Sequence, residues 1–260
     1  MTILSSRALI GVVHLPPLPG SPRFEGSVEA VAERALADAT ALHECGFDAL
    51  ILENLGDAPF TADRLPPASV ACMALIADRL RRALPIPMGI NALRNDAMAA
   101  LGIAAAAGAS FIRVNVLTGV VATDQGFLQG RADKVLRYRR LLGSHVAILA
   151  DVFVKHGLTL HASDIAAAAR DTAYRGLADG LLVTGPATGA PTDMRELERV
   201  KQAVPDRPLF VGSGATPAAA PELLKVANGI IVGSALKPGG DLRQPIDRGL
   251  AATFVAAARA

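Results

Sequence analysis

Eight short apolar runs of this chain are each followed by polar side chains that can bind or transform a small molecule. In chain order these side chains are His14, Glu53 with Asn54, Asn91, Asn115, Asp151, Thr184, Ser213 and Ser234. Carboxylates and imidazoles transfer protons near neutral pH, while amides and hydroxyls hold ligands by hydrogen bonds. Because polar residues follow every run at the same end, we expect the fold to gather them at one rim that carries the functional site.

Four ionisable residues are the catalytic candidates. Asp151 is the first candidate for a general acid or base, and Glu53 and His14 are the next. Lys155 either forms a Schiff base or holds an anion, of which the second is the simpler role. A divalent metal bound by His14, Glu53 and Asp151 is left open, but no HExxH motif or close carboxylate pair supports it. We therefore predict no metal site and no definite cofactor.

Two Gly-Ser turns are the centre of the predicted ligand site. GSG follows the seventh run and VGSA follows the eighth. Glycine lets backbone amides approach phosphate oxygens, a hydroxyl adds a donor, and a following helix start adds partial positive charge. In (β/α)₈ barrels the turns after strands seven and eight form the recurrent phosphate site, although plain surface turns are the alternative. The predicted phosphate-binding residues are Gly212, Ser213, Gly214, Gly233 and Ser234, with Thr184 and Gly185 as an extension.

The fourth run brings an arginine towards the same rim. Strand alternation places Arg113 and Asn115 on one face, and if this face points inward, the guanidinium needs a buried carboxylate partner. Glu53 and Asp151 are the candidates for that partner. Arg113 is therefore either half of a structural ion pair or a ligand contact. The remaining predicted substrate-binding residues are Asn91, Arg113, Asn115 and His156.

The runs that carry these residues are short and lack clean apolar-polar alternation. They cover residues 8–13, 49–52, 86–90, 111–116, 146–150, 180–183, 209–211 and 229–232. Strands buried on both faces are typical of parallel sheets, and the segments between them have a helical period. No GxGxxG motif follows the first run, and eight βα units favour a closed ring. We predict one α/β domain, residues 1–260, folded as a single (β/α)₈ TIM barrel with its site at the C-terminal face of the strands.

Helix boundaries and two long connections complete the predicted frame. Side-chain capping and left-handed glycines predict where helices begin and end. The expected N-caps are Ser27 and Ser69, and the expected helix-ending glycines are Gly46, Gly108 and Gly176. The connections 15–26 and 117–130 exceed the usual βα length, so each is expected to be an active-site loop or a rigid turn.

Composition argues against several classes of function. The chain has 26 basic and 24 acidic residues, few aromatic residues and no Trp, so it offers neither a basic stripe nor stacking platforms for nucleic acid. We find no stretch apolar enough to span a membrane and no secretory signal pattern. Cys45 and Cys72 lack disulfide or zinc spacing, so we expect core thiols in a cytoplasmic protein. Homo-oligomerisation stays open because no segment marks an interface.

Several longer segments resemble the BtpA/SgcQ family. They are IGVVHLPPLPGSP (10–22), GFDALILENLGDAPF (46–60), IRVNV (112–116), DQGFLQG (124–130), ADVFVKH (150–156), VGSGATP (211–217) and VGSALK (232–237). The resemblance covers nearly the whole chain and implies a barrel of the ribulose-phosphate-binding type. It assigns no catalytic residue, but it adds Asn54 and Asp57 to the residues of interest.

Two classes of function are consistent with these features. The first is an enzyme acting on a phosphorylated small molecule, such as a sugar or nucleoside phosphate, by lyase, isomerase or transferase chemistry. Asp151 would then be the acid or base, while Lys155 and Arg113 would steady anionic charge. The alternative is a non-catalytic assembly or regulatory factor, suggested by the family's name in photosystem I biogenesis, which would expose an apolar surface to a partner.

Overall fold

Eight parallel strands close into a barrel in the computed structural model, which describes residue 4 and residues 6–160, 164–185 and 190–260. The strands of this part of the chain are β1 (Ala8–His14), β2 (Ala49–Glu53), β3 (Met88–Asn91), β4 (Phe111–Val114), β5 (Val120–Thr123), β6 (Gly126–Gln129), β7 (Ala147–Asp151), β8 (Gly157–Thr159), β9 (Gly180–Val183), β10 (Leu209–Val211) and β11 (Gly229–Val232). Around the barrel the order is β1, β11, β10, β9, β7, β4, β3 and β2, and β2 pairs with β1 to close the ring. The predicted (β/α)₈ barrel is confirmed.

Helices surround the barrel. In the described ranges they are α1 (Val28–Glu44), α2 (Pro67–Ala83), α3 (Ala97–Ala107), α4 (Ala132–Leu141), α5 (Ile165–Arg170), α6 (Met194–Ala203), α7 (Ala220–Val226) and α8 (Arg248–Arg259). In α1, Val31, Ala35, Ala39 and Leu42 recur three or four residues apart and are buried. This spacing gives the helix one apolar face, which joins the core shared with the strands.

Side-chain alternation along the strands produces two separate cores. The barrel interior holds Ile10, Val12, Ala49, Ile51, Phe111, Ala147, Leu149, Leu182, Phe210 and Ile231. Residues of opposite parity, such as Leu9 and Leu50, pack with the helices instead. A residue two positions beyond an interior residue also points inward, so His14, Glu53 and Arg113 enter the mouth of the barrel. The inward orientation considered for Arg113 is therefore confirmed.

The long connection 117–130 contains regular structure that we did not predict. Strands β5 and β6 form a hairpin, and β8 joins β5 to make an antiparallel sheet in the order β6, β5, β8. A small apolar cluster that includes Val121 and Leu128 covers one face of this sheet. Strands of three or four residues around a polar tip carry too little alternation to be recognised from the sequence.

The connection 15–26 is tied down by a buried carboxylate. Asp57 accepts hydrogen bonds from the Leu18 amide at 2.7 Å and from Asn54 Nδ2 at 2.9 Å. Asn54 Oδ1 in turn accepts from the Leu93 amide at 2.7 Å. Burial raises the pKa of Asp57, although these hydrogen bonds oppose the rise. Asn54 and Asp57 thus fasten the loops after β1 and β3 to the loop after β2.

Three of the five predicted helix boundaries are confirmed. Ser27 Oγ accepts from the Ala30 amide at 3.1 Å and caps α1. Gly46 and Gly108 have φ of +90° and +69°, as expected for left-handed residues that follow a helix.

The other two boundaries were wrong. Ser69 lies inside α2, which begins at Pro67, and its hydroxyl donates to the Pro19 carbonyl at 2.8 Å. Proline suits the first turn of a helix because its missing N–H would have no partner there. Gly176 has φ of −78°, and Leu177 adopts the left-handed conformation instead, with φ of +55°.

Two further expectations concern thiols and membranes. Cys72 is buried, as expected of a core thiol, whereas Cys45 is only half-buried. Within the described ranges, no helix combines the length and apolar character that a membrane span requires.

Candidate active site

A cavity of about 170 Å³ opens at the C-terminal ends of the barrel strands. It brings together all of the predicted site residues except Asp151, Thr184 and Gly185. The predicted residues on its wall are His14, Glu53, Asn91, Arg113, Asn115, Lys155, His156, Gly212, Ser213, Gly214, Gly233 and Ser234. A water molecule takes up about 30 Å³ in the liquid, so the cavity has room for a small ligand only.

A buried ion pair lies behind one wall of the cavity. Arg113 donates to both carboxylate oxygens of Asp151, at 3.0 Å and 3.2 Å from Nη2. Asn115 Nδ2 donates to Asp151 Oδ2 at 2.7 Å. Burial alone would lower the pKa of Arg113, but the charges of Asp151 and Glu53 raise it further. Asp151 is therefore the partner that Arg113 requires, and Arg113 still reaches the cavity wall.

Glu53 and His14 form a second polar pair on the opposite side of this arginine. Asn91 Nδ2 donates to Glu53 Oε2 at 2.7 Å, and His14 Nε2 lies 3.8 Å from Glu53 Oε1. Burial raises the pKa of Glu53, but the nearby positive charges of Arg113 and Lys155 and the Asn91 amide bring it below its usual value. The His14 pKa falls to about 4, mainly because burial disfavours the charged ring. At neutral pH the pair is a carboxylate beside a neutral imidazole.

Two cations reach the cavity from the loops after β3 and β7. Lys155 is half-buried, and burial together with the charge of Arg113 lowers its pKa. Arg94 is buried, donates from Nη2 to the Lys155 carbonyl at 2.7 Å, and has no described partner for its Nε. Sequence reasoning missed Arg94 because it lies three residues beyond the end of β3, where no alternation indicates direction. His156 is exposed at the rim, and partial burial with the Lys155 charge lowers its pKa.

The two Gly-Ser turns lie on the same wall of the cavity. The Gly212 amide donates to the Val183 carbonyl at 2.8 Å and is thus engaged. The amides of Ser213, Gly214 and Ser234 donate to no residue in the described part of the chain, and the buried Ser213 hydroxyl also lacks a partner there. These groups are donors that a bound anion can use.

Close packing explains two of the glycines. Gly214 has φ of +77°, and a Cβ there would lie 1.8 Å from the Ala190 carbonyl oxygen. A Cβ at Gly233 would lie 2.8 Å from Cε1 of the His14 ring. The absence of side chains therefore lets one turn pack on residue 190 and lets His14 lie against the other turn.

Two details of the predicted phosphate cradle were wrong. Neither turn runs directly into an α-helix, because α7 begins at Ala220 and α8 at Arg248, so no long helix contributes its partial charge. Thr184 and Gly185 lie behind the cradle: the Thr184 hydroxyl donates to the Phe153 carbonyl at 3.1 Å, and a Cβ at Gly185 would meet the Ala190 carbonyl at 2.2 Å.

The charges of the site favour an anion. Arg94, Arg113 and Lys155 contribute three positive charges against the two carboxylates Glu53 and Asp151, and His14 is neutral at pH 7. Among the described residues, no three His, Cys, Asp or Glu side chains cluster to hold a metal ion. The arrangement combines an anion site, a cation-rich wall and an imidazole beside a carboxylate that can move a proton.

A (β/α)₈ barrel with a polar cavity at the C-terminal ends of its strands is a TIM-barrel protein. Solved structures agree: the native KDPGal structure has a TM-score of 0.59 at 18% identity, covering 96% of this chain and 94% of that chain. The thiamine phosphate pyrophosphorylase of Pyrococcus furiosus gives 0.52 at 17% identity, covering 96% and 95%. The N-(5'-phosphoribosyl)anthranilate isomerase of the same organism gives 0.56 at 14% identity, covering 97% and 99%. At these identities the likeness concerns the fold alone.

Sequence similarity identifies the family. Residues 5–260 match the BtpA family. The chain is 50% identical over 256 residues to the photosystem I biogenesis protein BtpA of Synechocystis, covering 98% of this chain and 89% of that protein. It is 34% identical over 260 residues to an uncharacterised mitochondrial protein of Caenorhabditis elegans, covering 96% and 93%. The chain belongs to the BtpA family, in agreement with the resemblance of its motifs.

Proposed function

We propose that this protein is an enzyme that binds a phosphorylated small molecule in the barrel cavity and transfers a proton on it, as isomerases and lyases do. The observation that carries the proposal is the pairing of two Gly-Ser turns on one cavity wall. Their unengaged amides, at Ser213, Gly214 and Ser234, are suited to phosphate oxygens.

Charge and fold likeness support an anionic substrate. The three cations of the cavity outnumber its two carboxylates, so a phosphate dianion improves the charge balance. Two of the solved structures with this fold carry phosphate or phosphoribosyl in their names. The likeness supports only the class of ligand, because fold alone does not determine function.

We assign proton transfer to His14 with Glu53 rather than to Asp151. Both oxygens of Asp151 accept hydrogen bonds from Arg113, and one also accepts from Asn115, so Asp151 serves to position these two side chains. His14 Nδ1 is buried and has no partner within the described ranges. Because the His14 ring lies against Gly233, a phosphate bound at this turn would raise the pKa of His14 from about 4 towards neutrality. Binding would thus prepare the group that moves the proton.

Hydrogen exchange into candidate substrates tests this proposal. A panel of aldose and ketose phosphates is incubated with the protein in D₂O, and ¹H NMR follows the loss of carbon-bound proton signals. We expect exchange in at least one compound and its loss in His14→Gln, with binding of inorganic phosphate retained. Asp63→Ala is the control, because Asp63 pairs with Arg131 at the surface. Binding of phosphate esters outside the 212–214 and 233–234 turns would refute the proposed site.

An assembly role is the second candidate, and one surface favours it. Phe127 and Leu158 lie on either side of Ala122 in the three-stranded sheet, and they are 71% and 68% exposed. Leu160 continues this apolar strip at 53% exposure. Exposed apolar patches mark interaction sites, and a relative at 50% identity is named for photosystem I biogenesis.

Replacement in cells separates the two functions. This chain is expressed in Synechocystis in place of its relative, and photosystem I content is measured. An assembly factor would retain activity in His14→Gln and lose it in the double variant Phe127→Ser with Leu158→Ser. An enzyme would show the opposite pattern.

A further inference from the structure

The Gly-Ser turns face the ends of two particular strands across the barrel mouth. In the ring of eight strands, β3 stands opposite β10, and β4 stands opposite β11. The turns follow β10 and β11, while Asn91 ends β3 and Asn115 follows β4. A ligand whose phosphate lies at the turns therefore extends towards these two asparagines.

Two carboxylates fix the orientation of both amides. A carboxylate oxygen can only accept, so the group that faces it must be the NH₂ of the amide. Asn91 presents Nδ2 to Glu53 at 2.7 Å, and Asn115 presents Nδ2 to Asp151 at 2.7 Å. The Oδ1 atoms of Asn91 and Asn115 therefore point away from the carboxylates, and neither has a partner in the described part of the chain. Two buried acceptors thus remain unsatisfied in the wall of one cavity.

The chemistry of these atoms selects the far end of the ligand. An amide oxygen needs a donor, whereas the neighbouring Arg94 Nε, also buried and without a described partner, needs an acceptor. A hydroxyl group can donate to one and accept from the other, while a second phosphate or a carboxylate satisfies only the arginine. We propose that Asn91 and Asn115 make the site specific for a phosphate ester with hydroxyl groups at the end remote from its phosphate. This inference rests on the proposed phosphate site and specifies the substrate class of that site.

Three phosphate esters of equal chain length test the inference by calorimetric titration. They are D-ribitol 5-phosphate, n-pentyl phosphate and 4-carboxybutyl phosphate. We expect ribitol phosphate to bind about tenfold or more tightly than pentyl phosphate, because hydroxyl groups then satisfy acceptors that are otherwise buried without partners. In Asn91→Leu and in Asn115→Leu, this ratio should fall by about fivefold or more.

Asn95→Leu is the matched control. Asn95 belongs to the same loop as Arg94, but both atoms of its amide are engaged by the Val116 backbone at 2.9 Å and 3.0 Å, and it does not line the cavity. Its substitution should leave the ratio unchanged. Circular dichroism checks that each variant folds, and the wild-type ratio tests the proposal even where a variant does not.

Each contrary outcome has a separate meaning. Equal or tighter binding of pentyl phosphate, or a ratio that survives both asparagine substitutions, overturns the hydroxyl specificity while leaving the phosphate site intact. Tightest binding of the carboxybutyl ester also overturns it, in favour of a second anion at Arg94. If none of the three esters binds in competition with inorganic phosphate, the proposed function fails together with this inference.

Discussion

Arg113 and Asp151 form a bidentate ion pair inside the barrel mouth, with Nη2 of the arginine 3.0 Å and 3.2 Å from the two carboxylate oxygens. The two residues are 38 positions apart in the chain and come from the neighbouring strands β4 and β7. Asn115 occupies a further acceptor position on the same carboxylate. The pair therefore organises the cavity wall, and the proton-transfer role moves to His14 and Glu53.

Removing one partner of this pair should destabilise the fold strongly. Arg113→Met leaves the Asp151 charge buried without its cation, and we expect a loss of about 3–5 kcal/mol in the free energy of unfolding. The double variant Arg113→Met with Asp151→Leu should recover most of this loss, because no buried charge remains. Urea denaturation measures both. A single variant within about 1 kcal/mol of the wild type would contradict a buried structural pair.

The low pKa of His14 predicts a specific acid sensitivity. The unfolded chain binds a proton at His14 near pH 6.5, whereas the folded chain binds it only near pH 4. Between these values the unfolded state holds more protons, so stability falls as the pH falls through this window, by about 3 kcal/mol. The measurement compares unfolding free energies of the wild type and His14→Gln from pH 7 to pH 4. Parallel curves for the two proteins would show that His14 titrates normally.

Gly214 should be far less tolerant of alanine than another left-handed glycine. Gly214 and Gly126 have φ of +77° and +97°, but a Cβ at Gly214 meets the Ala190 carbonyl oxygen at 1.8 Å, whereas a Cβ at Gly126 has nothing within 4 Å. We expect Gly126→Ala to cost about 1 kcal/mol in stability from backbone strain alone. Gly214→Ala should cost at least about 2 kcal/mol more, because the backbone must shift. Equal losses in thermal unfolding would count against the observed packing of this turn.

Asp57 should control access of proteases to the connection 15–26. It accepts the Leu18 amide and the Asn54 side chain, so Asp57→Ala frees the loop from its buried anchor. We expect trypsin to cleave the native protein after the exposed Arg23 about tenfold faster in this variant, as followed by mass spectrometry. The surface variant Asp63→Ala serves as the control. Unchanged cleavage in Asp57→Ala would mean that other contacts hold the loop.

The barrel itself was predictable because its strands are buried on both faces. Continuous apolar runs indicated all eight barrel strands, and the observed ends differ from the predicted ones by two residues at most, at Met88 and Val114. The same logic located the site, since a polar residue at each C-terminal strand end must face one rim. Alternation along β4 also predicted the inward arginine.

The pairings within the site were not predictable in the same way. Whether Arg113 meets Glu53 or Asp151 depends on the order of strands around the ring, which a local pattern does not contain. Arg94 lies in an irregular loop, where side-chain direction has no period. The engagement of both Asp151 oxygens likewise becomes visible only when β4 and β7 are adjacent.

The position of a bound phosphate tests the central claim most directly. Crystals of the protein grown without anions are soaked in inorganic phosphate, and the difference density is compared with that of an unsoaked crystal. The account predicts a phosphate between the 212–214 and 233–234 turns, within hydrogen-bonding distance of the Ser213, Gly214 and Ser234 amides. An empty cradle at saturating phosphate, or a phosphate bound only elsewhere on the barrel, would contradict it.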